Sequence, residues 1–304
     1  MISQKQMKEW IPPAVEHFKS TMPGANAPYP EIYIGGRQTA EHLRLSLLEQ
    51  LNSPAVETGE GKTFMELING TEGDAIIIYQ GAFIGQVWDY HGHELFNHYI
   101  WHELGHFFAI HNENPDDNLV RFLDQKEHPD EYIAQFGYNF WSEFIAETIA
   151  CKLSPDVDID WETKDWHSTR NSFVNYLRNA FNTRDYMIDH YDLAFYFAKL
   201  LSDKKALSFL KAADEGVAAA FDDGDKKLTF AEYNTDPAGL DLIDEMFHET
   251  MGIFKSHLES LISRNQYWRI AVSDCEAFGE YILDMERAMK MMDFSTRLRD
   301  RIIR

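Results

Sequence analysis

Cysteine is scarce in this sequence, and glycine and proline are not abundant. Of 304 residues only 2 are cysteines, Cys151 and Cys275, which cannot form a disulfide framework or a zinc site made of four cysteines. The 17 glycines and 10 prolines exclude a collagen-like or low-complexity chain. Since so few cysteines are typical of proteins from a reducing compartment, we expect a cytoplasmic protein.

Positive charge and long apolar runs are lacking as well. The 28 Lys and Arg residues against 50 Asp and Glu residues give a net charge of -22, which repels a phosphate backbone, so we expect no nucleic-acid partner. The N-terminal segment has no apolar run of the length that a signal peptide needs. Nowhere do about 18 apolar residues follow one another, as a membrane-spanning helix requires. The sequence therefore predicts a soluble protein with no membrane partner.

Hydrophobic residues make up 44% of the chain and aromatic residues 14%, which is enough for a packed core and excludes a disordered chain. The length fits two domains, or one larger domain with a helical extension. Near the N-terminus the pattern predicts a small sheet with one helix. β-branched and aromatic runs at 31–35 and 74–79 indicate strands, 82–88 follows as a hairpin partner of the second strand, and leucines in 39–52 have helical spacing.

Helical patterns dominate from His93 onward. Residues 93–111 repeat aromatic and histidine side chains at intervals of three and four without a proline, which predicts a long, mostly buried helix. A short helical piece around 119–125 and a turn spelled HPDE, starting at His128, precede a second apolar helix over 142–153. That helix is expected to end at Ser154, which is followed by a proline.

The remainder of the chain has hydrophobic patterns that predict helices. The predicted segments lie near 171–181, 184–201, 204–213, 238–263 and 274–300. Strands early and helices late indicate an α+β fold. We expect a domain over 1–165, which contains the sheet and both apolar helices, and a helical C-terminal subdomain over 166–304.

The residues that indicate chemistry form the motif H-E-x-x-H, from His102 to His106, inside the long predicted helix. Residues four apart lie one turn apart on the same helix face, with Cβ atoms about 5–6 Å from each other, so His102 and His106 can both bind one zinc ion. Glu103 lies about 100° around the helix from His102, where it can take a proton from the water that the zinc activates. The motif thus predicts two zinc ligands and a general base.

A catalytic zinc needs a third protein ligand, and Glu143 on the second apolar helix is the candidate. A loop and a short helix between it and His106 would suffice to bring the second helix back antiparallel. Glu147, one turn later on the same face, could accept a hydrogen bond from the second nitrogen of a ligating histidine. Asp116 or Asp117 remains an alternative third ligand, although both lie in a Pro-Asp-Asp loop.

With these residues the sequence resembles the zincin metallopeptidases, in particular the glutamate-ligand branch typified by thermolysin, in which HExxH is followed on a later helix by ExxxD. Here Glu147 stands where that branch has aspartate. The resemblance covers about residues 74–153. It implies a zincin-like fold, and a peptide substrate bound as an added strand along the hairpin 74–88 at the edge of the sheet. It also implies a His or Tyr donor from a later helix that stabilises the transition state, for which His190, Tyr191 and Tyr186 are candidates.

Other histidines fit the site less well. The metzincin extension of the motif would need glycine at 109 and histidine at 112, where this chain has Ala109 and Asn112. His98 shares a helix stripe with His102 but lies one turn further from the metal, so we expect it to have a packing role. We expect the same for His111.

Two functions therefore compete. The first is a zinc-dependent endopeptidase or aminopeptidase that hydrolyses peptides or proteins, with Glu103 as general base and acid. The second is a regulatory or interaction protein that keeps a zincin-like fold without turnover. The sequence leaves the substrate, the cleavage mode and the oligomeric state open.

Overall fold

The computed structural model describes residues 3–22, 28–36, 40–53, 64–80, 92–112, 129–154 and 270–302, with shorter stretches at 188, 193–194, 197–198, 252–254, 256–258 and 260–261. Its helices are α1 (Gln4–Thr21), α2 (Ala40–Gln50), α3 (Gly92–Asn112), α4 (Pro129–Leu153) and α5 (Val272–Ile302). Its strands are β1 (Glu31–Gly35), β2 (Met65–Gly70) and β3 (Gly73–Tyr79). A small sheet accompanied mostly by helices confirms the predicted α+β class.

The sheet has the strand order β1-β3-β2, so β3 is its central strand. β1 runs parallel to β3, with Tyr33 opposite Ile77, and β2 runs antiparallel to β3, with Leu67 opposite Ile76. The predicted strands at 31–35 and 74–79 are confirmed. The predicted pairing of 74–79 with 82–88 is wrong, because β1 and β2 occupy the two sides of β3; residues 82–88 themselves lie outside the described part of the chain.

β2 is the strand that the sequence pattern did not reveal. Its sequence MELING contains Glu66 and Asn69, which are unusual strand formers. Glu66 is tolerated in a half-buried position because the Nε of Arg44 donates to its two carboxylate oxygens at 2.9 and 3.0 Å, and the Tyr79 hydroxyl donates at 2.6 Å. A tight turn closes the hairpin at Gly73, whose φ of 138° suits glycine.

α2 covers one face of this sheet. Leu47 of α2 packs in a buried cluster with Ile68 of β2 and with Ala75 and Ile77 of β3. Successive strand side chains point to opposite faces, so Ile76 lies on the other face, where it is also fully buried. The central strand is therefore covered on both faces, as its continuous apolar sequence suggests.

α1 is a second element without a clear sequence signal, because Pro12 and Pro13 lie inside it. Prolines inside a helix remove hydrogen bonds and usually end it. Here a capping box at Ser3 fixes the start, and the indole N–H of Trp101 in α3 donates to the Ala14 carbonyl at 3.0 Å. Packing against α3 thus stabilises a helix that its prolines would disfavour.

α3 confirms the long helix predicted over 93–111, and it is the most buried helix of the N-terminal part. Its side chains Phe96, Ile100, Leu104 and Phe107 have no exposed surface. An apolar stripe at intervals of three and four residues explains why the helix forms at this position. Three polar residues of the same helix, His98, His102 and Glu103, are buried with this stripe.

α4 begins earlier than the sequence suggested. The predicted turn HPDE is wrong at Pro129, which is the first residue of a 25-residue helix that ends at Leu153. Proline is favoured at the first helical position, where its missing N–H would have no partner within the helix. The predicted segment over 142–153 and its end before Ser154 are confirmed.

Contacts between Cα atoms divide the chain into two compact units, Met1–Glu113 with Ile145–Glu162, and Asn114–Phe144 with Thr163–Arg304. The division falls inside α4, which is one continuous helix. The domain boundary predicted at residues 165 and 166 lies outside the described ranges.

The second unit has an aromatic core built on α4 and α5. Phe140 of α4 lies against Phe254 and Phe278, with ring centroids 4.6 and 5.4 Å away, and all three are fully buried. Gly137 and Gly279 let the two helices approach closely, since a Cβ on either one would overlap a backbone carbonyl of the other helix. The helix predicted over 274–300 is confirmed as α5.

None of the helices in the described ranges combines the length and the apolar character needed to cross a bilayer.

Candidate metal centre

The two histidines of the motif lie one turn apart on α3 and their rings converge. The Nε2 atoms of His102 and His106 are 3.1 Å apart, and the rings are nearly perpendicular. Two nitrogens that bind one tetrahedral metal ion at about 2.0–2.1 Å are separated by about 3.3 Å. The observed separation is close to that value. His102 is buried and His106 is partly buried.

Glu143 completes a group of three residues that could hold a metal ion. One donor atom from each of His102, His106 and Glu143 lies within 4.8 Å of the other two. Two imidazole nitrogens and a carboxylate oxygen are a donor set that fits a divalent metal ion. The structure therefore brings together the three residues predicted as ligands, and this group could hold a metal ion.

The helix pair α3 and α4 comes close enough for this arrangement because both helices have a small residue at the point of contact. A Cβ added to Gly105 would lie 2.9 Å from the Cα of Ala146 and 3.0 Å from its carbonyl oxygen. Gly105 precedes His106 on α3, and Ala146 precedes Glu147 on α4. Backbone contact at Gly105 therefore places the ligand-bearing turns beside each other.

Glu147 contacts the His102 ring at Nδ1, the nitrogen that does not face His106. Its carboxylate has no exposed surface and lies 3.2 Å from the Nδ1 of His102. If the Nδ1 proton of His102 is donated to Glu147, the Nε2 lone pair is left for a metal ion. The orienting contact that the sequence suggested for Glu147 is thus present in the structure.

His98 takes part in the same network, although its position in the sequence predicts only a packing role. Its Nε2 lies 3.1 and 3.2 Å from the two carboxylate oxygens of Glu147. Its Nδ1 lies 3.3 Å from the hydroxyl of Ser154 at the end of α4. The sequence contained one signal for this role, the repeat of histidine at 98, 102 and 106 along a single helix stripe.

Glu103 points toward the sheet. The backbone N–H of Leu67 on β2 donates to its Oε2 at 2.8 Å, and the side chain is largely buried, with the residue 8% exposed. This hydrogen bond fixes the orientation of the carboxylate beside the edge strand of the three-stranded sheet. An oriented carboxylate with limited water access has the properties of a general base.

Tyr99 follows His98 on α3 and is neutral over the physiological pH range. Burial, together with the charge of Glu147, raises the pKa of its hydroxyl to about 12. Its ring stacks on Phe64, with centroids 4.7 Å apart, just before β2. Tyr99 therefore contributes a neutral, mostly apolar wall near the buried carboxylate.

His111 has a hydrogen-bonding partner and not only the packing role expected for it. Its Nε2 lies 2.6 Å from Asp74 Oδ2 at the start of β3, and Asn69 donates to the other carboxylate oxygen at 2.5 Å. The side chain of Asp74 is 3% exposed. This pair joins the last turn of α3 to the β2–β3 hairpin.

Several predicted site residues lie outside the described part of the chain. They are the alternative ligands Asp116 and Asp117 and the candidate transition-state donors His190, Tyr191 and Tyr186. Among the described residues, the predicted ligands and the predicted base thus all lie on α3 and α4.

Comparison of the chain with protein-family models, with curated protein sequences and with solved structures finds no match.

Proposed function

We propose that this protein is a zinc-dependent metallopeptidase with a zincin-like catalytic part, in which His102, His106 and Glu143 hold the metal. The observation that supports this most directly is the approach of their three donor atoms to within 4.8 Å of one another. Two histidines and one glutamate leave a fourth position for water or substrate, as catalytic zinc sites do. The α+β class and the position of α3 beside an edge strand agree with this proposal.

Glu147 prepares the site by holding the Nδ1 proton of His102, so that the Nε2 lone pair faces the metal position. When bound, zinc would supply a Lewis acid that polarises the scissile carbonyl and makes water acidic enough to react near neutral pH. Glu103 then accepts a proton from the attacking water and passes it to the departing amine. The hydrogen bond from Leu67 N–H keeps Glu103 in one orientation for both steps.

A peptide or protein substrate is expected to lie along β2. The N–H of Leu67 is directed to α3 and away from β3. Met65 and Asn69 lie two residues before and two residues after Leu67 on β2, so their backbone groups point in the same direction. In an antiparallel pair such alternate residues direct their N–H and C=O groups outward, where an extended peptide can pair with them. The substrate edge is therefore β2, whereas the sequence resemblance had implied 74–88.

The first experiment measures metal content by mass spectrometry on protein purified without chelator. We expect about one zinc per chain in the wild type, and much less in His102→Ala and in Glu143→Ala. No zinc in the wild type after incubation with the metal at neutral pH would refute the proposed centre.

The second experiment measures hydrolysis of a peptide library. Glu103→Gln should keep its zinc and lose at least about 100-fold in rate, because a general base contributes about 10²–10⁴-fold. Glu94→Gln, near the start of the same helix, is the matched control and should retain both zinc and activity. Zinc binding without turnover of any peptide by the wild type would instead favour a regulatory protein that keeps the metal centre.

A further inference from the structure

The carboxylate of Glu147 is surrounded by donors in a dry environment. It has no exposed surface, yet it lies within hydrogen-bond distance of His98 Nε2, His102 Nδ1 and, at 3.3 Å, the Sγ of Cys151. A buried carboxylate needs such donors, since removing it from water without partners is costly. A thiol is a weak donor, so the two imidazoles are its main partners.

His98 is itself fixed at both ring nitrogens. Its Nε2 contacts Glu147, and its Nδ1 contacts the Ser154 hydroxyl, which is also 2.9 Å from the Ala150 carbonyl. The residue is 4% exposed, so water cannot easily replace these contacts. The ring therefore spans α3 and the last turn of α4 and leaves Glu147 little freedom to rotate.

The orientation of Glu147 matters because it determines the state of His102. His102 can bind a metal through Nε2 only when its proton is on Nδ1, and Glu147 is the acceptor for that proton. We propose that His98 is a positioning residue of the metal centre, which holds Glu147 so that Glu147 orients His102 toward the metal. This inference rests on the proposed function, because it concerns the same centre.

The expected loss of zinc affinity depends on how many residues separate His98 from the proposed metal. Removing a partner that directly orients a metal ligand typically costs about 10–100-fold in metal affinity. His98 acts through one further residue, so we expect the lower end of that range. His98→Leu, which has no donor, should raise the dissociation constant for zinc about 10-fold.

The test compares three variants of the full chain with the wild type. His98→Leu removes the donor, whereas His98→Gln places an amide N–H near the position of Nε2 and should restore affinity to near the wild-type value. His93→Leu, at an exposed position on the same helix, is the control and should leave affinity unchanged. Zinc dissociation constants are measured by competition with a chromophoric chelator, and the visible spectrum of the cobalt-substituted protein reports the ligand geometry.

The expected result is weaker zinc binding and an altered cobalt spectrum in His98→Leu, with recovery in His98→Gln. The role of His98 would be overturned if His98→Leu kept the wild-type zinc affinity and cobalt spectrum, or if both His98 variants lost zinc affinity equally. Either result would leave the proposed metal centre itself unaffected. A wild-type protein that binds neither metal would overturn the proposed function and this inference together. Should His98→Leu fail to fold, Ser154→Ala removes only the outer contact of the ring and should give a smaller loss of zinc affinity; an unchanged affinity would overturn the proposal.

Discussion

Replacing Gly105 with alanine tests the close approach of α3 and α4. The added Cβ would lie 2.9 Å from the Cα of Ala146 and 3.0 Å from its carbonyl oxygen. Both are backbone atoms, so no side-chain rotation can relieve the overlap. The helices must therefore separate, and the turn that carries Glu147 moves away from His102.

Two opposing effects determine how much Gly105→Ala changes the free energy of unfolding. Alanine favours a helix interior over glycine by about 1 kcal/mol, which would stabilise the protein if the space were open. Overpacking a close contact costs about 1–3 kcal/mol. We therefore expect Gly105→Ala to lower the free energy of unfolding by as much as about 2 kcal/mol. Zinc affinity should fall as well, since the orienting contact at His102 lengthens.

Gly252→Ala provides the matched control, because a Cβ at this helical, exposed glycine meets no atom within 4 Å. It should be neutral or stabilising by up to about 1 kcal/mol. Urea denaturation of both variants, with and without zinc, measures the difference. If Gly105→Ala were as stable as Gly252→Ala and bound zinc as tightly as the wild type, the proposed spacing of the two helices would be wrong.

Two further predictions concern buried polar groups. Since the pKa of Tyr99 is raised to about 12 from its usual 10.0 by burial and by Glu147, its neutral form favours the folded state, and this stability is lost as pH rises from 10 to 12. In urea titrations between pH 10 and 12, the free energy of unfolding should decline less in Tyr99→Phe than in the wild type. Equal declines in the two proteins would contradict the raised pKa of Tyr99. Arg44→Met leaves Glu66 without its ionic partner and should destabilise the fold by about 3 kcal/mol in the same assay. Arg287→Met, which breaks an exposed pair, should change stability little, and equal losses in the two variants would count against a buried ion pair.

The elements that could be predicted from the sequence are those whose own periodicity determines them. α3 and α5 have long repeats at intervals of three and four residues, and β3 is an uninterrupted apolar run. The elements that were missed depend on distant partners. β2 has Glu66 at a half-buried position because Arg44 and Tyr79 neutralise and bind it, and none of these three residues is close to another in the chain.

The same distinction applies to the candidate site. His102, Glu103 and His106 are predicted from a local spacing on one helix, and Glu143 is predicted from its place on a second apolar helix far enough along the chain to return to the first. The contacts of Glu103 with Leu67 and of His98 with Glu147 join residues 36 and 49 positions apart. Such pairs are determined by the packing of α3 against β2 and α4, which no short sequence pattern contains.

The glycine of the motif H-E-L-G-H has a geometric role that complements the chemistry of its neighbours. On α3 it lies between His102 and His106, and the residue that it faces on α4, Ala146, lies between Glu143 and Glu147. Residues four apart are separated by about one helical turn. The two histidines on α3 and the two glutamates on α4 are therefore spaced equally along their helices. Two such pairs can meet only if the residues between them are small enough for the backbones to touch. A bulky residue at position 105 would leave His102, His106 and Glu143 on the correct faces but too far apart to share a metal ion. Gly105 is therefore as much a part of the candidate centre as the three residues that could hold the metal.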